Sequence, residues 1–231
     1  DIELLKRTPS AYLGSCRYKL PEICEDQEIY KKIFSILDKL EVEYFFYIGG
    51  NDSMDTIKKL SDYSILNGSR IRFMGVPKTI DNDLAATDHT PGYGSAAKYI
   101  GSITKEVIRD GLVYDQQNVT ILEIMGRNAG WIALYGGRAG SADIILLPEI
   151  PYTLDNVVQK IKERDSRDKL FTIIVVSEGA REVGGQQTVN KIVEDSPDPV
   201  RLGGIAHKIS YELEQRIGEE HEIRPVVLGH T

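Results

Sequence analysis

Two aspartates, a threonine and a lysine fall within one short run, Pro77-Lys78-Thr79-Ile80-Asp81-Asn82-Asp83, directly after a strand-like stretch. One carboxylate of such a pair can take a proton from an attacking hydroxyl. The other can help hold Mg2+, a hard ion that prefers oxygen ligands. Side chains alternate along extended chain, so in an extended segment Asp81 and Asp83 share a side. A polar loop closed by an Asx-turn uses the same residue types.

Further polar clusters also follow strand-like runs. In Glu123-Ile124-Met125-Gly126-Arg127-Asn128-Ala129-Gly130-Trp131, the planar Arg127 guanidinium suits bidentate contact with a phosphate, or an ion pair with a surface acid. Trp131 reads as core. Ile48-Gly49-Gly50-Asn51-Asp52-Ser53 leads from a strand into a helix. Its glycines let the backbone approach a ligand, and the helix start offers free N–H groups to a phosphate. Asn51, Asp52 or Ser53 can equally serve as a plain N-cap, and Asp52 would repel an anion. Glu178, in Ser177-Glu178-Gly179-Ala180, can accept from sugar hydroxyls or cap a helix. Arg224 and His230, near the last strand, can meet a substrate phosphate, although a lone His is also a common structural residue. His89, His207 and His221 lack ligand spacing and read as structural. Together the clusters describe a phosphoryl-transfer site, where positioning and charge neutralisation do most of the catalysis.

The elements that must position these groups alternate. Helical periodicity or composition marks 27–40, 53–66, 93–109, 129–139, 154–163 and 201–217. The first carries Ile29, Ile33, Ile36, Leu37 and Leu40 on one stripe. Apolar runs at 44–48, 71–76, 118–124, 144–147, 170–176 and 225–228 read as strands. Continuous apolar strands between helices predict an α/β fold: three layers, a parallel sheet covered by helices on both faces. In such sheets ligands bind beyond the carboxyl ends of the strands, where the clusters lie. Residues 184–199 read as a long loop or lid, and the charged run 160–165 as a solvated helix face. No internal domain boundary is marked by composition.

The 231 residues carry 28 Lys+Arg against 35 Asp+Glu, a net charge of −7, which disfavours a nucleic-acid partner. Apolar content of 41% and charged content of 27% argue for a globular chain rather than a disordered or fibrous one. No apolar run approaches the ~18 residues of a membrane helix, and the first residues do not resemble a signal peptide. Cys16 and Cys24 read as two reduced thiols of a cytoplasmic protein. The missing initiator Met and the end at Thr231 lead us to expect an excised piece of a longer protein.

GGNDS (49–53), PKTIDND (77–83), MGR (125–127), SEG (177–179) and GH (229–230), in that order, resemble the 6-phosphofructokinase family. PKTIDND and EIMGRNAGW are long and specific, and the resemblance extends over essentially the whole chain. It implies a phosphofructokinase-like fold of two similar α/β domains, Mg2+ as cofactor, and fructose 6-phosphate as phosphoryl acceptor. It implies that Asp81 is the base that deprotonates the sugar 1-hydroxyl, flanked by Thr79 and Asp83, and that Arg127 contacts the transferring group and the substrate. Met125 and Gly126 would line the sugar-phosphate pocket, and Glu178 would hold sugar hydroxyls. Arg224 and His230 would bind the 6-phosphate, the arginine being supplied by a neighbouring subunit of a homo-oligomer. Gly14, Ser15 and Arg17, with Gly49, Gly50 and Ser53, resemble residues at the donor phosphates.

Pyrophosphate-using members resemble this sequence at two deciding positions, where ATP-using bacterial members generally have glycine. The Asp52 carboxylate would repel the ATP α-phosphate, and Lys78 would add a cation beside a pyrophosphate leaving group. The expected reaction is reversible transfer from pyrophosphate to fructose 6-phosphate, giving fructose 1,6-bisphosphate and phosphate. The alternatives are ATP-dependent transfer and a non-catalytic, sugar-phosphate-binding regulatory subunit. Asn51 replaces a common Mg2+-contacting aspartate, and Asn118 replaces an arginine that reaches the neighbour's substrate. The resemblance lacks the glycine-rich N-terminal phosphate segment and the continuation after His230, so the piece alone is expected to be inactive.

Overall fold

The computed structural model describes residues 2–8, 14, 18–194 and 199–229. The chain divides into two compact units, Asp1–Val76 with Val193–Pro199, and Pro77–Ile192 with Val200–Thr231.

In the first unit, α1 (Ile2–Leu5) is a single turn. Asp26 caps α2 (Gln27–Lys39) by accepting from the Glu28 and Ile29 amides, a contact worth about 1 kcal/mol. Tyr30, Phe34 and Leu37 form the buried stripe of α2. Ile36 and Leu40, expected on that stripe, are exposed. The stripe meets α3 (Asn51–Leu66), where the Tyr30 and Tyr63 rings stack at 4.9 Å. Strands β1 (Tyr44–Gly49) and β2 (Arg72–Pro77) pair, with Phe45 and Phe73 on the helix side, 5.5 Å apart. The alternate residues Tyr44, Phe46, Ile48, Met74 and Val76 are exposed. The expectation of helices on both faces therefore does not hold for this strand pair among the described residues. Lys59 of α3 is buried and bridges Asp55 and Glu22, each at 2.8 Å, and the Leu20 carbonyl at 3.1 Å. The two carboxylates push its pKa above the ordinary lysine value.

The second unit contains the expected three layers. Its helices and strands in order are α4 (Tyr93–Gly111), β3 (Asn118–Ile124), α5 (Trp131–Gly140), β4 (Ile144–Leu146), α6 (Leu154–Asp165) and β5 (Phe171–Ser177). Then come β6 (Val189–Ile192), β7 (Val200–Leu202), α7 (Ile205–Ile217) and β8 (Glu222–Val227). The parallel sheet has the order β4-β5-β3-β8. All residues of β3 and β5 are buried, as continuous apolar strands covered on both faces must be. Val119, Ile121, Ile174 and Val176 pack against α6 and α7. Leu122, Ile124 and Val175 pack against α4 and α5.

Helices α4 and α5 meet through small residues. A Cβ on Gly136 would fall 2.6 Å from Ile100 Cγ2, and one on Gly140 would fall 2.4 Å from Thr104 Cβ. Two segments depart from the sequence expectation. The loop predicted at 184–199 contains β6, which pairs antiparallel with β7, and α7 starts at Ile205 rather than at 201. The charged run at the end of α6 is not wholly solvated. Arg164 reaches Asp143 at 2.7 Å and Thr172 at 3.0 Å, while Asp165 reaches the buried His221 at 3.1 Å. Cys24 is exposed and unpaired, and Cys16 lies outside the described residues. No helix among the described residues is long and apolar enough to cross a membrane.

Candidate active site

The carboxyl ends of β3 and β5 are adjacent in register, Ile124 opposite Ser177. The chain therefore delivers Met125-Gly126-Arg127 and Glu178-Gly179 to one end of the sheet. Backbone bonds lock them together: the Glu178 amide donates to the Ile124 carbonyl at 2.9 Å, and the Gly179 amide to the Gly126 carbonyl at 3.0 Å. The Ser177 hydroxyl donates to the same Gly126 carbonyl at 2.7 Å. Gly126 has a φ of 137°, a conformation L side chains rarely adopt. A Cβ on Gly179 would fall 1.8 Å from the Arg127 carbonyl oxygen. The turn thus requires glycine at both places, and Arg127 and Glu178 are brought together. Both are partly exposed. The Arg127 guanidinium donates to the Val200 carbonyl of β7. Trp131, expected in the core, is 40% exposed and leans on Tyr135.

The 77–83 run leads toward α4. Thr79 is buried, and its hydroxyl accepts from the Asp81 amide at 3.1 Å. Lys78 and Asp83 are exposed and Asp81 is half-buried. The segment is not extended: Asn82 has a φ of 56°. The alternation that would put Asp81 and Asp83 on one side is therefore broken between them. Both carboxylates still leave the same loop.

Gly49, Gly50, Asn51, Asp52 and Ser53 belong to the first unit. Gly50 precedes α3 without a side-chain cap, and Asp52 sits in the first helical turn. There an acidic side chain is stabilised by the helix dipole and occupies ground that would otherwise suit an anion. A Cβ on Gly49 would fall 2.0 Å from Ser53 Oγ, so the strand end and the first helical turn are in close contact. Gly14 is exposed, with a φ of 88°. Ser15, Arg17 and His230 lie outside the described residues.

Arg224 does not join Arg127 and Glu178 within this chain. It lies inside β8 opposite Thr120, about 13 Å along the strands from Ile124 at roughly 3.3 Å per residue. Its guanidinium bonds Glu222 at 2.8 Å and stacks 4.7 Å over the Tyr114 ring. Asn118, opposite Glu222, is buried and donates to the Gly111 and Gln116 carbonyls at 3.3 and 3.2 Å.

Three residues that shape the site were missed in the sequence. Glu123 is 2% exposed, and its carboxylate accepts from the Gly204 and Ala206 amides at 2.9 Å each, anchoring the start of α7. The one charged residue in a mostly apolar strand was the available signal, because a buried charge must be paired. Gln187 donates to the Arg127 carbonyl at 2.8 Å and to the Gly179 carbonyl at 3.3 Å, tying the two strand-end loops together. Nothing in its spacing announced this. Asn82, whose bonds are described below, was passed over between two more conspicuous aspartates.

Among the described residues no group of three His, Cys, Asp or Glu gathers to hold a metal. Mg2+ seldom uses an all-protein cage and is commonly held by one or two carboxylates with substrate phosphates. The carboxylate-bearing loop at Asp81 and Asp83 fits that mode.

Phosphofructokinase is the family whose model matches, over residues 1–231. The chain belongs to the phosphofructokinase family. It is 49% identical over 197 residues to ATP-dependent 6-phosphofructokinase 2 of Clostridium perfringens, covering 84% of this chain and 50% of that protein. It is 37% identical over 227 residues to the pyrophosphate–fructose 6-phosphate 1-phosphotransferase of Halomonas elongata, covering 95% of this chain and 54% of that protein. The crystal structure of a pyrophosphate-dependent phosphofructokinase from Marinobacter aquaeolei matches with a TM-score of 0.78 at 35% identity, covering 98% of this chain and 52% of that one. The chain spans about half the length of the curated relatives it matches. The phosphofructokinase-like α/β fold expected from the motifs is the fold observed.

Proposed function

We propose that the protein transfers a phosphoryl group from pyrophosphate to the 1-hydroxyl of fructose 6-phosphate, reversibly, in the cytoplasm and as a homo-oligomer. The observation that carries this reading is the shared sheet end of Arg127 and Glu178, in a unit that also carries the Asp81 loop.

Asp81 accepts the proton as the sugar oxygen attacks phosphorus. A new O–P bond forms, the bridging P–O bond of pyrophosphate breaks, and phosphate leaves. Arg127 neutralises charge on the moving group, and Glu178 accepts from the sugar hydroxyls. Met125 and Gly126 line the sugar side. Thr79 fixes the backbone at Asp81 through its hydroxyl, and Lys78 meets the leaving phosphate. Gly14, Ser15, Arg17, Gly49, Gly50 and Ser53 serve the donor phosphates. Asp83 would hold Mg2+, which would supply further neutralisation of the donor charge, and Asn51 offers a neutral oxygen where a metal ligand is expected. Arg224 and His230 bind the 6-phosphate. The distance of Arg224 from Arg127 along the sheet supports its serving a neighbouring subunit.

Pyrophosphate is favoured as donor because Asp52 stands in the first turn of α3 and Lys78 is exposed beside the catalytic loop. The 49% identity to an enzyme named ATP-dependent favours the second reading, ATP as donor. The deciding experiment gives the whole protein fructose 6-phosphate, Mg2+ and either donor. Turnover with pyrophosphate alone is expected. Turnover with ATP alone overturns the donor assignment, and sugar-phosphate binding without turnover overturns the enzymatic reading in favour of a regulatory subunit.

A further inference from the structure

Asn82 stands between the two aspartates assigned to the chemistry, and its backbone is left-handed, with a φ of 56°. Asparagine visits this region more readily than most residues that have a Cβ. The left-handed step breaks strand alternation and so sets the directions in which Asp81 and Asp83 leave the chain.

The Asn82 side chain also spans the loop. Its Oδ1 accepts from the Thr90 amide at 2.9 Å, and its Nδ2 donates to the Asp88 carbonyl at 3.1 Å. Thr90 is 3% exposed, and its hydroxyl donates to the Thr79 carbonyl at 2.6 Å. Thr79 in turn accepts from the Asp81 amide at 3.1 Å. The bonds therefore close a ring that runs from Asn82 through Thr90 and Thr79 to the backbone of Asp81. A carboxamide offers an acceptor and a donor on separate atoms of one short stem, so both bonds can form at once.

Resting on the phosphoryl-transfer reading, we infer that Asn82 is a positioning residue. Its carboxamide clamps residues 79–83 to residues 88–90 and holds the Asp81 carboxylate on its line of approach. Asn82→Gly keeps the left-handed backbone without strain and loses both bonds. Asn82→Asp keeps the acceptor but turns a carboxylate oxygen toward the Asp88 carbonyl.

The test uses the whole protein with Mg2+, fructose 6-phosphate and the donor that the wild type turns over. In Asn82→Gly, kcat is expected to fall about tenfold to hundredfold, the scale on which small misplacements act. KM for the sugar phosphate and the thermal midpoint should stay near their wild-type values. Hydrogen exchange at the Thr90 amide should speed up selectively. Asn82→Asp should lower kcat in the same sense. Wild-type kcat in Asn82→Gly, or unchanged Thr90 exchange, overturns the inference. A fall in kcat matched by a general loss of protection and of thermal midpoint also overturns it, because the role is then merely structural. A wild-type protein inactive with both donors is the failure of the functional reading itself, distinguishable from these.

Discussion

The two units use similar strands and different cover. In the second, β3 and β5 are buried along their whole length between α4/α5 and α6/α7. In the first, β1 alternates, burying Phe45 more deeply than Tyr44, Phe46 and Ile48. The residues proposed to handle the acceptor sugar thus stand on a sheet with protein on both faces. Of those proposed for the donor side, Asn51 to Ser53 stand on a helix over a strand pair with one apolar face exposed. An apolar strand sequence states that a strand is sticky, but not which layer covers it.

This difference can be broken at several points. Asp81→Asn should remove the base while sparing the scaffold, lowering kcat by about 10²–10⁴-fold; a thermal midpoint equal to wild type, measured beside the kinetics, checks that the loss is chemical. Glu123→Ala strands two amides at the start of α7 and should cost about 3 kcal/mol. Urea unfolding reads this, and a loss below 1 kcal/mol would mean that α7 does not depend on its buried anchor. Gly140→Ala forces a methyl against Thr104 and should cost about 2 kcal/mol, visible as a lower thermal midpoint. The exposed counterpart in the first unit is Asp26→Ala, where water can replace the lost cap of α2; about 1 kcal/mol is expected. A cost equal to that of Glu123→Ala would erase the proposed contrast between buried and exposed capping.

Much of the second unit was legible because β3 and β5 are predominantly apolar and β-branched and are bounded by polar or glycine-containing turns. The predicted strand at 118–124 matches the observed one residue for residue. The motifs that led to Arg127 and Glu178 were legible for the same reason, since they begin where the apolar runs stop. The β6–β7 pair was not, because β6 is exposed throughout and carries no apolar period to read. The division near Val76 was hidden because the chain passes from one unit to the next through strand and motif without a linker. Asn82 was passed over because its left-handed turn depends on partners at Asp88 and Thr90, which local spacing does not reveal. Glu123 required knowledge of α7, more than eighty residues away.

The contact between α4 and α5 has a mechanical consequence. Ile100 sits over Gly136 and Thr104 over Gly140, so equal steps of four residues on the two helices mesh like teeth in notches. Sliding by a fraction of a tooth drives a methyl into backbone, and the next seat lies about one helical turn, ~5.4 Å, away. Because α4 follows the Asp81 loop and α5 follows the Arg127 loop, this detent would index the proposed base and the arginine to one another. On that geometry, adjustments at this site would fall to side-chain rotamers and loop backbone rather than to a slide of the two helices.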